Sequence, residues 1–286
     1  MKQLAQNAGH ELTLLEEYKT KDELLSAVAD SDALIVRSDI VDAEVIAAGK
    51  KLKIIVRAGA GYDNIDLAAA TSRNICVMNT PGQNANAVAE MVFGAMIYQS
   101  RNHFDGSSGR ELRGKKLGLI GFGYIGQRVA EIARGFEMTV FVYKRHPDAK
   151  LFSELGVKAS TIEDIFKTCD YISLHLPASS DTKGMVDAKL LRDLPKSAML
   201  VNTARQDLVN EVMLALVMNE RLDISYVTDF IPKNPDLLSE KFASRVFYPK
   251  KKMGAQTEEA NVNAGMAAVR QIIGFLEKGD ERFRVN

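Results

Sequence analysis

Short apolar runs alternate with helix-spaced apolar residues along almost the whole chain, the pattern of an α/β protein with parallel sheets. Runs at 11–15, 33–37, 53–57 and 75–78 read as strands, with helical spacing at 21–29, 43–48 and 66–72 between them. A long helix is expected from Asn84 to about Arg101, followed by a Gly/Ser-rich stretch at 105–109. A second series of strands is expected to begin after Lys115 and to continue at 139–143, 171–175, 199–202 and 224–228. Residues 257–278 read as a final long helix. A flavodoxin-like sheet ordinarily opens with a strand, whereas the first residues here read as part of the helix that follows one. An opening strand is therefore expected to be absent.

The most informative run is Leu117-Gly118-Leu119-Ile120, which passes straight into Gly121-Phe122-Gly123-Tyr124-Ile125-Gly126. A buried strand, a G-x-G-x-x-G turn and a helix together form a cradle for a dinucleotide pyrophosphate. The first glycine permits the turn, the second admits backbone to the phosphates, and the third lets helix and strand pack closely. The helix start adds unpaired N–H groups and a positive dipole end. Ile125, Val129, Ile132 and Ala133 continue at helical spacing, as that arrangement requires.

Composition narrows the partners. Lys+Arg 37 against Asp+Glu 37 cancel, so no nucleic acid or membrane partner is expected. The start lacks the apolar core of a secretion signal, and the most apolar helical stretch is interrupted by Glu90, so a cytoplasmic protein is expected. Cys76 and Cys169 lie in or beside apolar runs and read as buried free thiols, and no metal site is expected.

Five segments together resemble the D-2-hydroxyacid dehydrogenase family, in its phosphoglycerate dehydrogenase branch. They are 56–66 (VRAGAGYDNID), 79–84 with Glu90, the glycine turn, Val201-Asn202-Thr203-Ala204-Arg205, and 254–260 (GAQTEEA). The resemblance implies two Rossmann-like domains with a cleft between them, the cofactor domain 84–256 being inserted into a substrate domain made of 1–83 and 257–286. It implies a homodimer joined through the cofactor domain and its opening helix. It also assigns cofactor contacts to Gly121, Gly123, Tyr124, Ile125, Gly126, Pro177, Thr203, Asp229 and Gly254. Substrate contacts fall to Arg37, Ser38, Arg57, Gly59, Ala60, Gly61 and Asn84. His175 falls in the segment lining the adenine side, where a structural role is expected of it; His10, His103 and His146 are expected to do nothing specific.

Arg205 follows a predicted buried strand, where ligands meet open α/β sheets. Its guanidinium can grip a 2-oxo acid's carboxylate in two parallel bonds and polarise the carbonyl, and the resemblance makes it the catalytic arginine. The family's acid/base histidine and its glutamate partner are both replaced, by Lys252 and Asn234. The two replacements agree, because a carboxylate that orients an imidazole has no task without one. A lysine at roughly 10.4 is a poor base at neutral pH, but burial beside Arg205 lowers that value. In the reductive direction its ammonium is already a proton donor. Lys252 is the expected acid/base. Anchoring on Pro249 instead selects Lys250, and Lys251 lies between.

The cofactor remains two-sided. Where NAD enzymes place an acid for the adenosine ribose, this chain has Lys144 and Arg145, which suit a 2′-phosphate, so NAD and NADP both stand. Two guanidiniums, Arg37 and Arg57, fit a substrate phosphate. The expected reaction is hydride exchange with a D-2-hydroxy acid, 3-phosphoglycerate first. A glyoxylate or hydroxypyruvate reductase and an inactive dinucleotide-sensing protein are the alternatives.

Overall fold

Strands covered on both faces need apolar side chains at successive positions, and the central strands supply them. The computed structural model describes residues 1–238 and 240–286, with Glu240 described for its backbone alone. The chain divides into two compact units, Met1–Asn84 with Thr257–Asn286, and Ala85–Gln256.

The first unit begins with α1 (Lys2–Asn7) and α2 (Lys21–Val28). Strands β1 (Ala33–Val36), β2 (Ile54–Arg57) and β3 (Cys76–Asn79) then alternate with α3 (Ala43–Ala48) and α4 (Leu67–Ser72). All three strands are parallel, in spatial order β1-β2-β3. Asp42 and Asp66 start α3 and α4 by accepting the Val45 and Ala69 N–H groups at 3.1 and 2.9 Å. The far edge of β3 is covered by the chain's own tail, where Val285 N–H donates to Val77 O at 2.8 Å. The strand expected at 11–15 is not there. Leu14 and Leu15 are exposed and the segment joins no sheet ladder, so its apolar spacing has no buried face behind it.

The second unit opens with α5 (Ala85–Ser100). Next come β4 (Lys116–Ile120), α6 (Tyr124–Gly135), β5 (Thr139–Tyr143), α7 (Ala149–Leu155), β6 (Lys158–Ala159), α8 (Ile162–Thr168) and β7 (Tyr171–Leu174). It closes with α9 (Ala188–Asp193), β8 (Met199–Asn202), α10 (Glu211–Glu220), β9 (Ser225–Thr228), α11 (Pro235–Leu238) and β10 (Val246–Phe247). The last helix, α12 (Glu258–Lys278), returns to the first unit. The seven strands are parallel in order β10-β9-β8-β7-β4-β5-β6, so the order reverses between β4 and β7.

Alternation explains how this sheet is buried on both faces. Leu117 and Leu119 pack with Val129, Ala133 and α5, whereas Ile120 packs with Ile165, Ile172 and Leu174 on the other face. Gly118 sits between them because a Cβ there would lie 2.2 Å from Ile165 Cγ2. Both cysteines are buried thiols, pushed up to about 11 by that burial. His103 is not idle as expected: its ring stacks on Tyr98 at 4.7 Å, and Nε2 lies 3.0 Å from Gln99 Oε1.

His175 leaves β7 at the reversal point, its N–H donating to Ile120 O at 2.8 Å. The residue is half-buried, but both ring nitrogens are out of water with no partner. Burial brings its pKa down to about 3.

Two outcomes follow from this packing. Gly118→Ala should destabilise the second unit by about 1–3 kcal/mol through overpacking, lowering its thermal midpoint; an unchanged midpoint would contradict the contact. For His175 the unfolded chain binds a proton between about pH 6.5 and 3 that the folded chain does not, so stability is full above that window and falls as pH drops through it. Denaturant titrations should show the loss approaching about 1.4 kcal/mol per pH unit at most. His175→Gln should flatten it, and an identical slope in the variant would refute the assignment.

Candidate dinucleotide and acid/base site

The glycine turn is shaped by contacts that exclude side chains. Gly121 has φ +100°, and a Cβ there would meet His175 O at 2.5 Å. A Cβ at Gly126 would meet Gly121 O at 2.6 Å, so helix α6 presses directly on the turn. At Gly123, by contrast, a Cβ would point into open space. Gly123 caps α6 without a side-chain bond, leaving the first N–H groups of that helix for an outside acceptor. Tyr124 is 60% exposed beside it, while Ile125 packs inward.

At the end of β5, Lys144 is half-buried and Arg145 exposed. Arg145 pairs with Asp181 at 3.2 Å, an exposed pair that contributes little. Asp148 is committed elsewhere, its Oδ1 accepting the Leu151 N–H at 3.0 Å to cap α7.

The ends of β8 and β9 bring the next group together. Asn202 sets the turn by donating to Arg205 O at 2.9 Å and accepting from Ala204 N at 3.1 Å. Arg205 Nη1 returns to Ala204 O at 2.9 Å. Asp229 is 1% exposed. Its Oδ2 accepts the Gly254 N–H at 2.9 Å and its main-chain oxygen the Met253 N–H at 3.0 Å. A Cβ at residue 254 would fall 2.2 Å from Asp229 Oδ2, which is why a glycine stands there. Burial raises the Asp229 carboxyl above its usual range, against the pull of Lys252, the Gly254 N–H and Arg205.

The charges of Lys252 and Arg205 both act on the Asp229 carboxyl, and Lys252 Nζ lies 5.6 Å from the centroid of the Phe230 ring. The residue is exposed, as are Lys250 and Lys251. The burial expected to deprotonate Lys252 is absent from its own unit. An aromatic face stands beside it instead.

Several polar atoms near these strand ends are buried with no hydrogen-bond partner: Asp229 Oδ1, Thr203 Oγ1, Ser173 Oγ and both His175 nitrogens. Such groups are rare unless a ligand or water meets them. Together with the glycine turn, they fit a polar, anionic dinucleotide. Pro177 is exposed after β7, its carbonyl accepting from Thr182 Oγ1 at 2.8 Å. Among the described residues no His/Cys/Asp/Glu group is arranged to hold a metal ion, and no helix is long and apolar enough to cross a membrane.

Sequence reasoning passed over Glu211, which is 5% exposed at the start of α10. Its carboxylate accepts the Lys233 and Asn234 N–H groups at 2.9 and 2.7 Å and the Asn234 amide at 3.1 Å. Gln206 donates to Ile231 O at 2.5 Å, and Lys233 pairs with Asp207. These ties join the loop after β9 to the loop after β8. An acid in a helix's first turn reads as a dipole partner, and nothing local marks this one as a clamp.

In the first unit, Arg37 and Ser38 follow β1 and Arg57 ends β2. Gly59 has φ +154° and lies so close to the Arg57 guanidinium that a Cβ would overlap it. Thr80 N–H donates to Gly59 O at 3.0 Å, and Asn79 Nδ2 to Ala60 O at 2.6 Å. The loop through Gly61 is thereby fastened to the end of β3. Asn84 Oδ1 is buried without a donor.

A family model described as D-isomer specific 2-hydroxyacid dehydrogenase, NAD binding domain, matches residues 86–246. The NAD+-bound 3-phosphoglycerate dehydrogenase of Entamoeba histolytica is 45% identical over all of this chain and 92% of its own, with a TM-score of 0.91. Hydroxypyruvate reductase of Thermotoga maritima is 35% identical, covering 94% of this chain and 92% of its own length. D-3-phosphoglycerate dehydrogenase of Mycobacterium tuberculosis is 36% identical over 86% of this chain, which spans only 49% of that relative. The chain belongs to the D-isomer-specific 2-hydroxyacid dehydrogenases, a family of NAD-dependent oxidoreductases.

Proposed function

We propose that this protein interconverts 3-phosphoglycerate and 3-phosphohydroxypyruvate, with Arg205 binding the substrate and Lys252 handling its proton. The observation that carries the reading is that the Met253 and Gly254 N–H groups bind the Lys252 segment to buried Asp229 at the end of β9, where the charges of Lys252 and Arg205 both act on its carboxyl. The turn residues Gly121, Gly123 and Gly126 and the start of α6, with Tyr124 and Ile125, hold the pyrophosphate. Pro177 borders the adenine side. Asp229 Oδ1 and Thr203 Oγ1 accept from and orient the nicotinamide end, with Gly254 fixing Asp229 in place. When bound, the nicotinamide supplies the hydride acceptor or donor.

Arg205 grips the carboxylate of the 2-oxo acid and polarises its carbonyl, as a planar guanidinium does best. Lys252 gives its proton to the carbonyl oxygen in reduction and recovers it in oxidation. Arg37, Ser38 and Arg57 are assigned to the substrate's phosphate, and Gly59, Ala60, Gly61 and Asn84 to its carboxylate end. Names among the relatives support both the phosphorylated substrate and a second reading, reduction of hydroxypyruvate or glyoxylate. Use of NADP(H) beside NAD(H) is favoured by Lys144 and Arg145, and an imino acid reductase of 26% identity and TM-score 0.81 is described in complex with NADPH. A homodimer in the cytoplasm completes the reading, its contact drawing on the exposed Phe104 next to Tyr98 and His103.

Following NADH and NADPH absorbance with a panel of 2-oxo acids tests the assignment. Phosphohydroxypyruvate should be reduced with the highest kcat/KM; equal turnover of hydroxypyruvate and glyoxylate would remove the phosphorylated substrate. Lys252→Met should lower kcat by about 10²–10⁴-fold, the usual contribution of an acid/base group, with NADH affinity unchanged. Lys250→Met and Lys251→Met should leave it intact. No turnover of any substrate by the unaltered protein would leave a dinucleotide-sensing protein.

A further inference from the structure

A lysine that donates a proton on every reductive turnover must be held in place and kept charged between turnovers. Histidine is a rigid ring held by a hydrogen bond from its second nitrogen, whereas a lysine ammonium carries three rotatable donors on a flexible four-carbon stem and is aimed by what surrounds it. The chain around Lys252 supplies such surroundings. The Met253 N–H donates to the Asp229 main-chain oxygen and the Gly254 N–H to its side chain, so the peptide on the carboxyl side of Lys252 is anchored at the end of β9. The next residue along from Asp229 is Phe230, 5% exposed, with its own N–H held by Thr228 Oγ1 at 3.3 Å. Its ring is therefore a fixed plate, and Lys252 Nζ stands 5.6 Å from the centroid, inside the range over which a cation is attracted to an aromatic face.

We infer that Phe230 is a positioning residue for the reaction: its ring face and the Asp229 carboxylate together form a seat that holds the Lys252 ammonium charged and aimed. The Phe230 N–H is held within its own turn by Thr228 Oγ1, and its ring meets the Lys252 ammonium, so the path inferred for its effect runs through Lys252. Charged groups that bear on this seat include Asp229, at the end of β9, and Arg205, after β8, whose charge also acts on the Asp229 carboxyl. Asp229 and the ring favour the ammonium, while Arg205 competes for the carboxylate and disfavours it. The inference rests on Lys252 being the proton donor proposed above.

The test is the pH dependence of kcat for reduction in Phe230→Leu, which keeps an apolar side chain but removes the aromatic face. The alkaline limb, where the ammonium deprotonates, should move down by about half to one pH unit, and kcat should fall about two- to tenfold at unchanged KM and NADH affinity. Phe230→Tyr keeps the face and should restore both. Should Phe230→Leu fold poorly, Phe230→Met serves the same purpose, with unchanged NADH affinity certifying the scaffold. A wild-type alkaline limb in a folded non-aromatic variant overturns the seat, provided Lys252→Met is inactive in parallel. A fully active Lys252→Met overturns the acid/base assignment itself, which separates the two failures.

Discussion

The larger unit is organised around a place where no side chain can be added. The His175 carbonyl comes so near Gly121 that β4 and β7 meet at the reversal of strand order without a spacer, and Gly126 brings α6 down on the same turn. Everything that follows β4 inherits this geometry. A doubly wound sheet opens a crevice at the carboxyl ends of its strands where the order reverses. Here the glycine turn lies at that point, and the Arg205 and Asp229 turns lie at the ends of the neighbouring strands.

The same strand ends carry an unusual number of polar atoms that are out of water and lack partners. Each such atom costs about 1–3 kcal/mol relative to a satisfied one. The cost is tolerable because α/β packing supplies a core on both sheet faces, from Leu117 and Val129 on one side to Ile165 and Leu200 on the other. Asp229 shows the balance most plainly. Its buried carboxyl resists ionisation, one oxygen is secured by Gly254 and the other has no donor, and two cations bear on it from separate loops.

Legibility in the sequence followed burial. Strands such as 139–143 and 199–202 were readable to the residue because consecutive apolar side chains face two cores. The two-residue strands at Lys158–Ala159 and Val246–Phe247 carry too little pattern to read, and the apolar spacing at 11–15 misled because exposure is not written in it. The glycine turn stood out because local geometry demands glycine at 121 and 126, and Arg205 because it follows a buried strand in a segment that resembles the family's. Phe230 and Glu211 did not, since a core aromatic and a first-turn acid are ordinary residues until their neighbours are known. Lys252 was legible as a replacement, whereas its surroundings were not: the sequence argued for burial, and the chain gives it a ring and a carboxylate.

The Glu211 ties have a mechanical meaning. Two backbone N–H groups and one amide close on a single buried carboxylate, while Gln206 and the Lys233–Asp207 pair fasten the same loops at two further points. Loops fastened so often lose the freedom to swing independently. The guanidinium on one and the aromatic plate on the other are therefore prongs of one fork, tied at its base by α10.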